Sequence, residues 1–232
     1  FLDKDGVLKY AHSTSWGIST RLIGGIIMVH GDNRGLVMPP RVAPVQVVII
    51  PIAFHKEGVL DKAKAVKDEL EKCFRVEMDD RDTYSPGWKF NEWEMKGVPI
   101  RMEIGPRDIE NNQVTIARRD TLEKFTVSMD SLTETVSGLL DEIHTTMFNK
   151  ALKNMEEKTY TTTDYEEFKK IMQETPGFVK TMWCGSRECE DKLKEDTAAT
   201  IRCIPFRQEH VGDKCLICGG KAEKMIYAAK AY

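Results

Sequence analysis

Three stretches of this sequence carry residue types able to do chemistry, and the clearest is a set of cysteines. There are six: Cys73, Cys184, Cys189, Cys203, Cys215 and Cys218. Four of them form two close pairs, Cys184-x4-Cys189 and Cys215-x2-Cys218. Such spacing lets two sulfurs of one tight turn reach the same ion, and two turns together supply a closed tetrahedron of thiolates. Gly185, Gly219 and Gly220 free the backbone of those turns. A closed four-sulfur shell leaves no position for a reacting water, so the chemistry predicted is structural zinc binding by Cys184, Cys189, Cys215 and Cys218. Free buried cysteines or two reducible disulfides are the alternatives. Phe1 to Tyr10 contains Asp3, Lys4, Asp5 and Lys9 and no apolar signal region. That reading favours a reducing, cytoplasmic setting, where paired cysteines bind metal rather than cross-link. Cys73, at the end of an amphipathic helix, and Cys203, in an apolar strand, are expected as buried core thiols.

A second stretch, Ser13-Thr14-Ser15-Trp16-Gly17-Ile18-Ser19-Thr20-Arg21, gathers hydroxyls, an aromatic, a glycine and an arginine. Hydroxyls and a guanidinium near glycine suit a polyanion such as a nucleoside triphosphate, because arginine grips phosphate oxygens as a fork. Trp16 could wall an apolar pocket or stack on a ring. Short Ser/Thr/Arg runs are common, however, and this one is not a P-loop. On the residues alone, a polar turn before a core element is the plainer reading.

The third stretch is the polar middle of the chain. Glu94, Arg101, Asp108 and Lys124 fall near the ends of successive predicted elements, with Trp88, Phe90 and Trp93 close by. Ligands bind at strand ends in α/β sheets. Carboxylates accept from base amino groups, Arg and Lys donate to guanine carbonyls, and unpaired bases offer their full edges. On the residues alone, a solvated face with weak surface ion pairs is narrowly the better reading, since a mix of charges is what any surface shows.

The elements that must position these groups read as an α/β domain followed by a smaller one. Leu22 to Val29 is an apolar run among glycines, either a strand leaving a ligand site or a helix packed closely against a sheet. Pro39, Pro40 and Pro44 then mark a boundary. Val45 to Ile52 is nearly continuous and β-branched, which predicts a strand of a parallel sheet buried on both faces. Leu60, Ala63, Val66, Leu70 and Cys73 recur at helical spacing, and Phe74 to Met78 alternates like a strand, completing a βαβ unit. Ser85-Pro86-Gly87 reads as a turn, followed by a helix from Trp88 to Lys96 that Gly97 ends. Val98 to Ile104 reads as a strand closed by Gly105-Pro106. Val114 to Arg118 and Lys124 to Val127 read as an antiparallel pair joined across Arg119 to Glu123. Ser131 with Glu134 forms a capping box opening a long helix with Leu132, Val136, Leu139, Ile143 and Met147 on its core face.

Beyond about residue 151, Thr159 to Thr163 is polar and β-branched. Thr163 with Glu166 predicts a helix presenting Phe168, Ile171 and Met172, and strands follow at Phe178 to Trp183 and Ile201 to Phe206. This last unit, of about 80 residues, is small for a lone core, and a metal staple is the expected remedy.

Composition sets the outer bounds. The chain has 232 residues, 41% hydrophobic and 31% charged, as in an ordinary globular protein of one large or two small domains. With 34 basic and 37 acidic residues the formal charge is −3, so any RNA binding must come from a local face rather than bulk charge. No run of 18 apolar residues exists, which excludes a membrane-spanning helix. The opening residue is Phe rather than Met, and the chain is expected to be a piece of something longer.

Read together, these stretches resemble the C-terminal part of prolyl-tRNA synthetases of the archaeal and eukaryotic type. Ser15-Trp16-Gly17-Ile18-Ser19-Thr20-Arg21 resembles motif 3 of class II aminoacyl-tRNA synthetases, and the stretch from His30 to Pro40 resembles the exit from their catalytic domain. Pro86 to Phe90, Glu92 to Pro99 and Gly105 to Asp108 resemble the anticodon-binding domain, and the cysteine quartet resembles the C-terminal zinc-binding domain. The final Tyr232 also matches. The resemblance implies three parts: a catalytic-domain remnant at 1–43, a mixed-sheet anticodon-binding domain with helices on the sheet at 44–150, and an α+β zinc-binding domain at 151–232.

It also implies roles. Arg21 would be the catalytic arginine holding the ATP γ-phosphate, Ser19 would line the ATP site, and Ser15, Trp16 and Gly17 would wall the proline pocket. Glu94, Arg101, Asp108 and Lys124 would meet the two guanines of the proline anticodon. The terminal carboxylate of Tyr232 would approach the catalytic domain. The parent would use ATP with Mg(2+), L-proline and tRNA(Pro), and act as a homodimer. Motifs 1 and 2 are missing from these residues, so the chain alone is expected not to activate proline. Two other readings remain: a non-catalytic zinc-stapled RNA-binding or scaffold module, and a sister class II synthetase for threonine, glycine or histidine. The intact Arg21 argues against the first, and the four-cysteine end and Trp-rich middle argue against the second.

Overall fold

The computed structural model describes every residue except His12 and Tyr232, so the expectation for the Tyr232 carboxylate lies outside the described residues. The chain divides into two compact units, Phe1–Met147 and Phe148–Tyr232.

The first unit opens with helix α1 (Arg21–His30), which buries none of its residues. The apolar run at Leu22 is therefore a helix, but not one packed on a sheet within this unit. Strand β1 (Val47–Pro51) is buried at every position, and it pairs in parallel with both β2 (Val76–Met78) and β3 (Ile100–Ile104). Between β1 and β2 runs helix α2 (Val59–Leu70), whose Val59, Ala63, Val66 and Leu70 are buried. Cys73 lies beyond its end and is exposed, contrary to expectation. Strand β4 (Gln113–Arg118) turns antiparallel to β3, and β5 (Lys124–Ser128) antiparallel to β4, giving the sheet order β2-β1-β3-β4-β5.

Helix α3 (Pro86–Met95) starts two residues earlier than predicted. Ser85 is its N-cap, accepting from the Trp88 N–H at 3.4 Å, and Pro86 occupies the first turn, where a missing N–H costs nothing. The Gly105-Pro106 pair likewise opens a short helix, α4 (Pro106–Glu110), rather than merely closing a strand. The long helix α5 (Leu132–Glu157) is entered through a single tight turn over Met129–Ser131, capped by Ser128 and not by Ser131. Its five predicted core residues are all buried, with Leu140 beside them.

Because side chains alternate along a strand, the sheet has two different faces. Val47, Ile49, Ile100, Met102, Ile104, Val114 and Ile116 point to one side, into a single core with α2 and α5. On the other side Val48 and Ile50 are covered by Phe90 and Trp93 of α3. Between α3 and the end of β2 lies a buried polar knot. The Asp79 carboxylate accepts from Arg81 Nε at 2.8 Å and from the Trp93 indole N–H at 2.8 Å. Lys89, only 2% exposed, donates to the Asp79 carbonyl at 3.0 Å.

The segment entering this unit is fastened to the end of α3. The Leu36 N–H donates to the Met95 carbonyl and the Met38 N–H to the Gly97 carbonyl, both at 3.0 Å. Gly97 has φ +74°, and a Cβ there would stand 2.6 Å from the Leu36 carbonyl.

In the second unit, β6 (Thr159–Thr161) pairs in parallel with β7 (Phe178–Trp183) around helix α6 (Tyr165–Glu174). Asp164 caps α6, one residue later than the predicted Thr163 box, accepting from the Glu167 N–H at 2.8 Å. Phe168 and Met172 are buried as expected, and Ile171 packs at the core's edge. Helix α7 (Arg187–Thr197) and strand β9 (Lys224–Lys230) carry no expectation above. Strand β8 covers Ala199–Cys203 rather than 201–206, which leaves Cys203 exposed instead of in the core. The sheet order is β6-β7-β9-β8, with β9 antiparallel to both neighbours.

Three substitutions test this packing. Gly97→Ala should destabilise the first unit by about 2 kcal/mol, since a Cβ is barred both by the positive φ and by the Leu36 backbone. Gly138→Ala, in open space within α5, should stabilise by roughly 0.5–1 kcal/mol; urea unfolding of both variants checks the contrast. Burial alone would raise the Asp79 carboxyl, but Arg81, Trp93 and Lys89 outweigh it and hold it far below the usual range. A depressed carboxyl contributes stability above its unfolded value near 3.9 that is lost as pH falls towards the folded one. Asp79→Asn should therefore cost about 3 kcal/mol at pH 7, leaving the buried Lys89 without its carboxylate, and should flatten the fall in stability between about pH 4 and 2.

Candidate nucleic-acid interface and metal centre

Helix α3 packs mainly over β1 and touches β3 through Phe90 and Glu94, so the same face of the sheet continues past it over the rest of β3, β4 and β5. Alternation aims Arg101 and Glu103 of β3, Thr115 and Ala117 of β4, and Lys124 and Thr126 of β5 to this side. The ionic groups there alternate in sign. Arg34 Nη1 lies 2.9 Å from one Glu94 oxygen, and Arg101 Nη1 lies 3.9 Å from the other. Arg101 also donates from Nε and Nη2 to Glu103 Oε1, each at 3.3 Å. Lys124 Nζ donates to Glu103 Oε2 at 2.7 Å. The Arg101 guanidinium sits 4.2 Å from the Phe90 ring centroid.

Of the four residues singled out from sequence, Glu94, Arg101 and Lys124 thus come together in one ionic row. Asp108 stands at its margin. One Asp108 oxygen accepts from the Gly105 N–H at 2.9 Å, and the other from the Thr115 hydroxyl at 3.2 Å. Part of its hydrogen-bonding capacity therefore goes to capping α4. Sequence reasoning missed Arg34 and Glu103. Glu103 was readable, because a strand puts positions i and i+2 on one face and Arg101 had already been chosen. Arg34 was not, since it is 60 residues from Glu94 and arrives through the fastened segment.

A second ionic anchor lies alongside. Arg119 donates to both Asp32 oxygens, at 2.8 and 2.6 Å, and to the Glu94 carbonyl at 2.9 Å. Those hydrogen bonds hold the Asp32 carboxyl down to about 2. Arg34, Trp93, Glu94, Arg101, Ala117 and Arg119 line one concave site. A site holding both carboxylates and guanidinium groups beside an aromatic ring can match the mixed donor and acceptor edge of an unpaired base.

The predicted phosphate-binding stretch is arranged differently. Ser15, Trp16, Gly17, Ser19 and Arg21 are all exposed, and Trp16 retains 91% of its surface. The Ser19 hydroxyl accepts from the Arg21 N–H at 3.4 Å.

In the second unit the four paired cysteines converge, with all four Sγ atoms within 4.8 Å of one another. Cys184 follows β7, and Cys189 sits in the first turn of α7, which the Ser186 hydroxyl caps by accepting from the Glu188 N–H at 3.2 Å. Cys215 and Cys218 form a knuckle closed by the Cys215 N–H donating to the Gly220 carbonyl at 2.7 Å, with Gly219 at φ +70°. Sγ of Cys184 is 3.6 Å from that of Cys189 and 3.9 Å from that of Cys218. Disulfide sulfurs would be about 2 Å apart. Four sulfurs each about 2.3 Å from one ion would be about 3.8 Å apart. Burial pushes the Cys189 thiol up, whereas at Cys215 the backbone N–H groups of Cys218, Ile217 and Cys184 overcome burial and bring it down to about 7. Four thiolates this close cannot all ionise without a cation among them. The donor set therefore fits a tetrahedral metal ion.

Comparison with known proteins agrees with this geometry. Residues 46–139 match the family described as "Anticodon binding domain", and residues 165–232 match "Prolyl-tRNA synthetase, C-terminal". Over the whole chain, the sequence is 62% identical to a "Proline--tRNA ligase" of Alkaliphilus oremlandii and 65% identical to one of Acetoanaerobium sticklandii. It is 58% identical to a "Proline--tRNA ligase 2" of Bacillus cereus. In each case the chain spans about half of the relative's length, 48%. With an anticodon-binding domain built on the α3-covered sheet and a four-cysteine α+β domain after it, the chain belongs to the prolyl-tRNA synthetase family, as its C-terminal region.

Proposed function

We propose that this chain is the anticodon-reading and zinc-braced half of an enzyme that activates L-proline with ATP and transfers it to tRNA(Pro). The observation that carries the reading is the ionic row on the open sheet face, all of it but Arg34 within the segment that matches an anticodon-binding domain. In this proposal Glu94 accepts from guanine N–H groups, and Arg101 and Lys124 donate to guanine acceptors. Asp108 contributes its remaining acceptor capacity at the margin. Unpaired anticodon bases expose both kinds of group, which explains why a face of mixed sign serves better than a uniformly basic one. Division into 1–43, 44–150 and 151–232 belongs to the same proposal.

For the catalytic half, Arg21 would hold the γ-phosphate of ATP and steady the charge of adenylate formation. Ser19 would line the nucleotide site, Mg(2+) would accompany ATP, and Ser15, Trp16 and Gly17 would wall the proline pocket. Their exposure here fits groups completed by the rest of the enzyme, which we propose works as a cytoplasmic homodimer. Cys184, Cys189, Cys215 and Cys218 would hold Zn(2+), which supplies rigidity and no reacting water.

Anticodon stem-loops titrated at matched salt should show tighter binding to a proline anticodon than to one with either guanine replaced. Arg101→Met should cost about 1–3 kcal/mol and relax that preference. Equal affinity for all stem-loops would refute the assignment. Metal analysis of the purified chain should find one zinc per chain. Cys215→Ser should lose it and unfold the second unit at lower urea concentration, and wild type should release zinc on acidification as protons compete for the thiolates.

A further inference from the structure

We propose that Glu103 is a positioning residue for anticodon recognition, setting the geometry of Arg101 and Lys124 without touching the RNA. The inference rests on the proposed anticodon reading and goes beyond it. Glu103 is 6% exposed, too buried to meet a base, yet both of its oxygens face cations. Arg101, Ala117 and Lys124 lie in one lateral row, since Ala117 pairs with Arg101 on one side and with Lys124 on the other. Two like charges are thus separated only by the strand of a small residue. Left alone they would splay apart, and Lys124, on the edge strand with a flexible four-carbon stem, would sample many directions.

The Glu103 carboxylate sits one step along β3 from that row and takes one cation on each oxygen. It thereby draws the Lys124 ammonium inward across Ala117, to 6.0 Å from the Phe90 ring over which Arg101 lies. Without the carboxylate the cations would remain on the surface and still attract phosphate. What would be lost is their fixed spacing, which matters for reading a base edge and hardly at all for a diffuse polyanion.

Glu103→Gln keeps the shape of the side chain, but its amide N–H group faces a cation where an oxygen stood. With the 232-residue chain, the preference for a proline-anticodon stem-loop over guanine-substituted ones should fall at least tenfold. The slope of log affinity against log salt should stay near the wild-type value, because phosphate contacts persist. Glu103→Gln should cost less selectivity in a Lys124→Met background than in wild type, since part of the carboxylate's effect acts through the lysine and the rest through Arg101. A variant that binds all stem-loops equally more weakly, or keeps its preference within twofold of wild type, would overturn the proposal. Absence of preference in the wild-type chain would instead defeat the anticodon reading itself.

Discussion

Charges on a half-buried sheet face must be compensated by near neighbours, and that constraint shapes the candidate anticodon site. Helix α3 shields β1 and reaches β3 only at Arg101, so the outward groups of β3, β4 and β5 are neither fully hydrated nor fully enclosed. In such a setting an unpaired ion is costly and a uniformly charged patch repels itself. The solution is a row of alternating sign, Arg34, Glu94, Arg101, Glu103 and Lys124, in which every inner member has an opposite charge on each side. The row is close to self-neutral, in keeping with a chain whose formal charge is −3. Selectivity at such a face comes from matching donors and acceptors, while the general attraction of RNA for basic surfaces contributes little.

The two units reach stability by different routes. The first has a sheet covered on one side by α2 and α5 and on part of the other by α3, with a continuous apolar core. The second has a smaller apolar cluster around Phe168, Leu193 and Ala228, and a separate one in which Cys189 and Cys215 pack with Trp183 and Ile226. Sulfurs in that second cluster are core atoms and candidate metal donors at once, so packing and any ligation draw on the same side chains.

Much of this was legible in the sequence, for identifiable reasons. The nearly continuous, β-branched VQVVIIPI run reads as a strand buried on both faces, and it holds the strand at the centre of the parallel part of the sheet. The five core positions of α5 followed from helical spacing. The cysteine quartet followed from its spacing and converges as required. Errors clustered where local chemistry had two readings. Ser85-Pro86-Gly87 contains turn residues, but Ser followed by Pro is also how a helix begins. Helix α7 has a very polar sequence with only Cys189 and Leu193 buried, too sparse a stripe for periodicity to reveal. The buried thiols expected at Cys73 and Cys203 failed because the apolar pattern overran both elements: Cys73 lies three residues past the end of α2, and Cys203 is the exposed last residue of β8. The Arg34–Glu94 and Asp32–Arg119 pairs link residues far apart in the chain, and no local pattern encodes them.

The joint between the entering segment and α3 is made of main chain. Leu36 and Met38 contribute only their N–H groups to it, and Met95 and Gly97 only their carbonyls. Gly35 and Gly97 bring the two backbones close enough to meet, since a Cβ on either would collide with the opposite strand of chain. Every residue type except proline owns the same amide. Sequence drift at 38 and 95 can therefore proceed without loosening this seam, which leaves Arg34 and Glu94 facing each other however the neighbouring side chains are rewritten.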